Sequence, residues 1–271
     1  MTTAYQDLRF TDDFLFCKIM QNNPDLCKEL VELIIDRKIG EIIIDDSQQS
    51  IKITKDGKGI RLDVYLEDDR NTIYDIEMQT TNKGNLLKRT RYYQGLIDLN
   101  LIESGDNYNK LKMTYIIFID TFDLFNKGLH KYTFKTVCLE DRELVLEDDA
   151  TKILLNAKGT ADDVSEGMKN FLKYLTSGIV TSPLTKKIEE KVIRSRDNEK
   201  WKVEYMTLEM RDQEKREEGR QEGLAEGREE VRSEGVIKSI KAGLDKDMIL
   251  HIFDITEEKY EEYLKLAAAT D

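Results

Sequence analysis

The sequence predicts an α/β fold in which a mixed central sheet, flanked by helices, is followed by a long helical, glycine-punctuated C-terminal extension. Three observations carry this expectation. Two short runs, Arg61-Leu62-Asp63-Val64-Tyr65-Leu66 and Ile73-Tyr74-Asp75-Ile76-Glu77-Met78-Gln79, alternate with the period of strands buried on one side, and the polar loop between them is short enough for a hairpin. Residues 113–120 are almost wholly apolar, the mark of a strand buried on both faces. From Pro183 a helical pattern runs through Trp201 and Met206 into a tail with a glycine every four residues.

Taken in order, Thr11 or Asp12 can cap a helix whose stripe is Phe14, Leu15, Ile19 and Met20. Pro24, preceded by Asn22 and Asn23, opens a second helix in which Leu26, Leu30, Leu33 and Ile34 face inward. Residues 39–44 read as the first strand and 50–54 as an outer one, before the hairpin at 60–79. A helix over about 86–102 follows, and with its lead-in it carries Lys83, Lys88, Arg89 and Arg91, with no acid between Lys83 and Ile97. Residues 131–139 and 151–155 look like further strands, and 162–175 like a helix.

In the tail, Gly219, Gly223 and Gly227 interrupt a helical pattern, and each interior glycine costs about 1 kcal/mol relative to alanine. Close approach of a second helix along such a stripe is one way to offset the cost and implies self-association; a solvated, frayed linker is the alternative. Residues 237–266 form a compact helical pattern with Asp245 and Thr256 as N-caps. Its spacing hints at a helix-turn-helix. Glu257, Glu258, Glu261 and Glu262 make the last helix acidic and poorly suited to a phosphate-lined groove, so the module reads as a partner-binding or oligomerising element. The expected domains are therefore 1–180, 181–236 and 237–271.

The chemistry concentrates in the hairpin. Asp63, Asp75, Glu77 and Gln79 alternate with the apolar residues, so an antiparallel pair could gather several carboxylates and an amide. Carboxylates that close repel unless a divalent cation or a raised pKa relieves them, and Mg²⁺ suits a site with one or two carboxylates. Asp63 and Glu77 share a face only if an odd number of residues separates paired positions, as with a loop at Asp68-Asp69-Arg70; a two-residue turn at Asp69-Arg70 puts them on opposite faces. The plainer alternative is a sheet edge whose charged face meets water and discourages edge pairing.

The formal net charge is −12, the wrong sign for binding nucleic acid by bulk attraction, so any such contact falls to a local patch, of which the 83–91 segment is the clearest. There Lys88, Arg89 or Arg91 would hold phosphates, and Tyr92 or Tyr93 would support the site or stack on a base; the alternative is an ordinary amphipathic helix. Cys17, Cys27 and Cys138 are odd in number and widely spaced, which argues against a disulfide framework or a zinc site. With His130 and His251 alone, histidine-based chemistry is not expected. The N-terminus lacks a basic segment and an apolar h-region, and no run reaches the length of a membrane span, so a cytoplasmic protein is expected.

Asp63 followed by Glu77-x-Gln79 resembles the Asp…(Asp/Glu)-x-Lys signature of the PD-(D/E)XK phosphodiesterases, with Gln79 at the usual lysine. More of the chain is similar to one branch of them, the Rpn family of recombination-promoting nucleases and transposase-related proteins. The matching stretches are Thr11-Asp12-Asp13-Phe14-Leu15-Phe16-Cys17-Lys18, Arg61-Leu62-Asp63-Val64, Ile76-Glu77-Met78-Gln79, Arg91-Tyr92-Tyr93 and Gly105-Asp106-Asn107-Tyr108. The resemblance implies a restriction-endonuclease-like core and a DNA endonuclease that depends on Mg²⁺, with Mn²⁺ as a substitute. Asp63 and Glu77 would be ligands, Met78 would add its backbone carbonyl, and Gln79 would orient the attacking water. A lysine there brings a positive charge; an amide only donates and accepts hydrogen bonds, which leaves rate and metal dependence open. A third acidic ligand from an early helix occurs in related nucleases, and Glu29 and Glu32 are the candidates, set against an ordinary solvated role. The rival function is a catalytically silent, oligomeric DNA- or protein-binding protein of mobile-element origin, and cleavage of RNA stays open.

Overall fold

The structure, a computed structural model, describes residues 3–43, 50–51 and 60–269. It opens with helices α1 (Asp13–Gln21) and α2 (Pro24–Ile35). Asp12 is the N-cap of α1, with its carboxylate turned back to accept the Arg9 N–H at 2.7 Å. Asn23 caps α2, and Pro24 sits at the first helical position, where its missing N–H leaves no bond unmade. The buried residues of these helices include every apolar position expected to face inward except Leu33.

The strands are β1 (Ile42–Ile43), β2 (Ser50–Ile51), β3 (Ile60–Arg61), β4 (Val64–Asp68), β5 (Ile73–Gln79), β6 (Thr114–Asp120), β7 (Lys131–Phe134) and β8 (Ala150–Asn156). Six of them form a mixed sheet in the order β1-β4-β5-β6-β8-β7, and β2 pairs with β3 separately. The first strand is shorter than the expected 39–44, and Ile44 and residues 52–54 lie outside the described part. Helix α3 (Leu86–Leu101) carries the chain from β5 to β6, which run parallel.

The hairpin β4–β5 is antiparallel with Val64 opposite Ile76 and Tyr65 opposite Asp75. Its loop is Asp69-Arg70-Asn71, one residue further along than 68–70 and of the odd length required: the Asp68 N–H donates to the Thr72 carbonyl at 3.0 Å across it. Asn71 takes the left-handed conformation at φ 59°, and Asp68 holds the turn by accepting from the N–H groups of Arg70 and Thr72.

One expectation is corrected here. The alternation in β5 suggested a strand with one wet face, yet Ile73 through Met78 are all buried. The reason is tertiary: β5 is flanked by β4 and β6, and α3 roofs the face that carries the acids, packing Leu86, Tyr93, Leu96 and Ile97 against Ile73, Ile116, Phe118 and Leu154. The strand β6 is buried throughout except for its half-buried Tyr115, as its composition implied.

The helices α4 (Glu166–Ser177), capped by Ser165, and α5 (Pro183–Ser195), opened by a Ser182/Thr185 capping box, pack with α1 and α2. The single long helix expected from Pro183 is instead two. The α5 helix stops at Ser195, whose carbonyl accepts the Tyr5 hydroxyl at 2.7 Å, and Asn198 restarts the chain by accepting the Trp201 N–H at 3.1 Å. The second of the two, α6 (Glu199–Lys241), is followed by α7 (Lys246–Phe253) and α8 (Glu257–Ala269). The chain forms two compact units that divide between Lys202 and Val203.

Within the second unit Asp245 and Thr256 cap α7 and α8, and Val236, Ile249, Tyr260 and Tyr263 form a small core. The α6 helix runs unbroken through Gly219, Gly223 and Gly227, where an added Cβ would meet open space; at Gly235 it would meet the Phe253 ring at 2.7 Å. Close approach of a second helix is thus seen at Gly235, with α7 as the neighbour. No described helix is long and apolar enough to cross a membrane.

Candidate active site

Continued by one step, the β4–β5 register sets Asp63 opposite Glu77. Asp63 is tied to the end of β5 by two bonds: its N–H donates to Glu77 Oε1 at 3.0 Å, and the Met78 N–H donates to Asp63 Oδ2 at 3.1 Å. Alternation along a strand puts the Met78 carbonyl on the same edge as its N–H, towards Asp63. Asp75, Glu77 and Gln79 share one face of β5, and the parallel register adds Phe118 beside Glu77 and Asp120 beside Gln79.

This acidic face is covered by α3, which delivers one cation into it. From its first turn Arg89 donates Nη1 to Gln79 Oε1 at 2.7 Å and Nη2 to Glu77 Oε2 at 3.1 Å and to the Tyr93 hydroxyl at 2.8 Å. Its guanidinium also lies over the rings of Tyr93 and Phe118, 5.2 and 5.3 Å from their centroids. Gln79 and Arg89 are half-buried, whereas Asp75 and Glu77 are 0% and 1% exposed, so the cluster opens to solvent at the Gln79 end.

Burial without full compensation sets the electrostatics. The Asp75 carboxyl is held well above the usual carboxylate range, first by desolvation and then by the Asp63 charge, with Arg89 opposing. Desolvation and the charges of Asp75 and Asp63 push Glu77 in the same direction, against the Asp63 N–H and Arg89. Both oxygens of Asp75, and Oδ1 of Asp120, are buried with no hydrogen-bond partner. Asp120 is 1% exposed and its carboxyl is pushed up to about 7 by burial, with Arg89 again opposing.

The orphaned oxygens of Asp75 and Asp120 are what a nearby cation would relieve, and a cluster of carboxylates fits a hard divalent ion. Among the described residues no group of three or more His, Cys, Asp or Glu side chains is arranged to hold a metal, so a site here would draw on fewer such side chains, and the sequence candidates are Asp63 and Glu77 with the Met78 carbonyl. That is the ligand count Mg²⁺ takes when it keeps several waters.

The remaining sequence candidates fall in different places. Lys88 and Arg91 are exposed on α3, about 100° and 200° around the helix from Arg89, so of the three Arg89 alone reaches the carboxylates. Tyr93 is buried under Arg89, and desolvation and the Glu77 charge push its phenol up to about 12. Tyr92 is exposed. Glu29 pairs with Lys187 at 2.6 Å, and Glu32 accepts the Ile39 N–H at 3.2 Å and pairs with Lys38. The residue that α1 brings beside Asp63 is Gln21, whose amide donates to the Asp63 carbonyl at 3.3 Å.

Asp120 was not legible as a site residue. The signal that could have found it is an acid closing an apolar strand, at the carboxyl end of a parallel pair where α/β sheets place their sites.

The profile of the PD-(D/E)XK nuclease family transposases matches residues 10–223. The chain belongs to this family. No curated protein and no solved structure matches it. For a PD-(D/E)XK nuclease family transposase, the mixed sheet with helices on both faces is the restriction-endonuclease-like core, and α6 begins the helical extension. Membership places this chain among nuclease-related proteins, and the matched segment contains the whole Asp63–Glu77–Gln79–Arg89 cluster.

Proposed function

We propose that the protein is a metal-dependent DNA endonuclease that hydrolyses phosphodiester bonds, with Asp63, Glu77 and the Met78 carbonyl holding Mg²⁺ or Mn²⁺. The observation that carries this reading is the pair of bonds from the Asp63 N–H to Glu77 and from the Met78 N–H to Asp63, which holds the two carboxylates near each other beside the half-buried Gln79 amide. When bound, the ion would supply a lowered pKa for attacking water and charge neutralisation at the phosphate.

The chain's own residues do the rest. Asp63 and Glu77 are held in place by backbone N–H donors, so their positions are fixed before an ion arrives. Gln79 stands at the mouth of the cluster and orients the nucleophile. Lys88 and Arg91, exposed on the same helix as Arg89, hold the flanking phosphates, and Tyr93 supports Arg89 from below. With a net charge of −12, DNA contact then rests on this basic helix and on the ion. In the same reading the C-terminal helical segment joins copies of the chain, and the protein works in the cytoplasm.

One observation favours the rival, a silent DNA- or protein-binding protein: both Glu77 oxygens are taken by protein donors, the Asp63 N–H and Arg89. Plasmid nicking with Mg²⁺ or Mn²⁺ separates the two. Wild type should cut, and Asp63→Ala and Glu77→Ala should each lose at least ~100-fold, the scale of losing one preorganised electrostatic group. Equal cutting by all three rejects the metal assignment, and DNA binding without cutting favours the silent protein. Matched DNA and RNA duplexes in the same assay decide the polymer.

A further inference from the structure

We propose that Arg89 supplies from α3 the positive charge that glutamine at position 79 lacks, and that it fixes Gln79 as a hydrogen-bond donor to the reacting phosphate or its nucleophile. The proposal rests on the nuclease reading above and changes the role of Arg89 from a phosphate clamp to a positioning residue within the site.

Three features lead to it. First, the amide orientation of Gln79 is dictated by its neighbour. A guanidinium has only donors, so the Gln79 atom facing Arg89 Nη1 at 2.7 Å must be the oxygen, which leaves the amide NH₂ to point elsewhere as a donor. A lysine at that place would likewise be donor-only; Gln79 alone would have been free to accept.

Second, the guanidinium is immobilised. It bonds Gln79, Glu77 and the Tyr93 hydroxyl and lies over two aromatic rings, and its side chain is 26% exposed. A cation held by three hydrogen bonds and two ring faces acts as a fixed charge and does not sweep a groove for phosphates.

Third, among the described residues no basic side chain other than Arg89 makes a hydrogen bond or ion pair with Asp75, Glu77, Gln79 or Asp120. The β5 strand itself contains neither lysine nor arginine. Charge and donor character are therefore divided between two residues on two elements, joined by one hydrogen bond. The same placement predicts a cost: a fixed cation 3.1 Å from a metal-binding carboxylate opposes the ion electrostatically.

The test uses the full chain with Arg89→Met, Arg89→Lys, Gln79→Lys and the double variant Arg89→Met/Gln79→Lys. Methionine keeps the apolar stem that packs on Phe118 and Tyr93, and circular dichroism and thermal melts in EDTA check that each variant folds. R89M should cut at least ~100-fold more slowly while binding Mn²⁺ more tightly by calorimetry, a divergence that a purely structural residue would not produce. R89K should fall between, because an ammonium lacks the fork that grips Gln79 and Glu77 together. The double variant should regain most of the lost rate, because the charge returns on the β5 strand.

Wild-type cutting at the rate of R89M, unchanged Mn²⁺ affinity in R89M, or a folded double variant no faster than R89M overturns the proposal and leaves the nuclease reading standing. A wild type that neither binds Mn²⁺ nor cuts overturns both.

Discussion

At the scale of single residues, Asp120 shows how burial turns an acid into a pH-dependent liability. Its carboxyl, raised to about 7 with one oxygen unpartnered, is neutral in the folded protein over a range where it ionises in the unfolded chain. Stability from this group is therefore full below pH ~4 and is lost as pH rises through ~7, at about 1.4 kcal/mol per unit of displacement. Asp120→Asn should remove that loss. In metal-free buffer, urea unfolding should find the variant more stable than wild type by at least ~1 kcal/mol at pH 8 and nearly equal to it at pH 4. A gain of the same size at both pH values would show that the Asp120 carboxyl titrates alike in the folded and unfolded chain and is not raised by burial. Asp75 has no hydrogen-bond partner for either oxygen and lies two residues from Glu77 on the same strand.

At the scale of elements, the hairpin loop decides whether there is a site. Three residues, Asp69-Arg70-Asn71, bring Asp63 and Glu77 opposite each other, and the third must be left-handed. Asn71→Ala should cost about 1 kcal/mol in chemical denaturation, because a Cβ residue without a local polar group resists φ 59°, whereas Asn71→Gly should stay within a few tenths. Equal costs for the two would mean that the turn tolerates another conformation. The alternation on both strands made this hairpin legible, and with it Asp63, Glu77 and Gln79. Alternation could not say that both faces of β5 are covered. That depends on α3 folding back over the acids, and the residues that make it do so, Leu86, Tyr93, Leu96 and Ile97, lie up to 24 positions beyond Ile73. The break between α5 and α6 was hidden for a similar reason: the Ser195 carbonyl is taken by Tyr5, a partner 190 residues away.

At the scale of the whole molecule, the chain divides into a sheet-based unit and a helical one, and the glycines of α6 differ in what surrounds them. Gly223→Ala places a methyl group in open space and should stabilise the helix by up to ~1 kcal/mol, seen as slower amide exchange around that position. Gly235→Ala drives a Cβ to within 2.7 Å of Phe253 and should instead loosen the α6–α7 packing, seen as faster exchange in α7. If Gly223→Ala also lowers the association state in sedimentation, the glycine stripe is the contact between copies.

The sequence by itself determined most of the elements, though not the break between α5 and α6, and the identity of the paired acids, because period, capping residues and turn chemistry act over a few neighbouring residues. It also carried the family resemblance, since the motifs that define it are local strings. Only the tertiary structure decided which cation meets those acids and that Asp120 stands beside Gln79. Both follow from the parallel register between β5 and β6 and from the docking of α3, and such register is set by side-chain packing between segments that no local pattern connects.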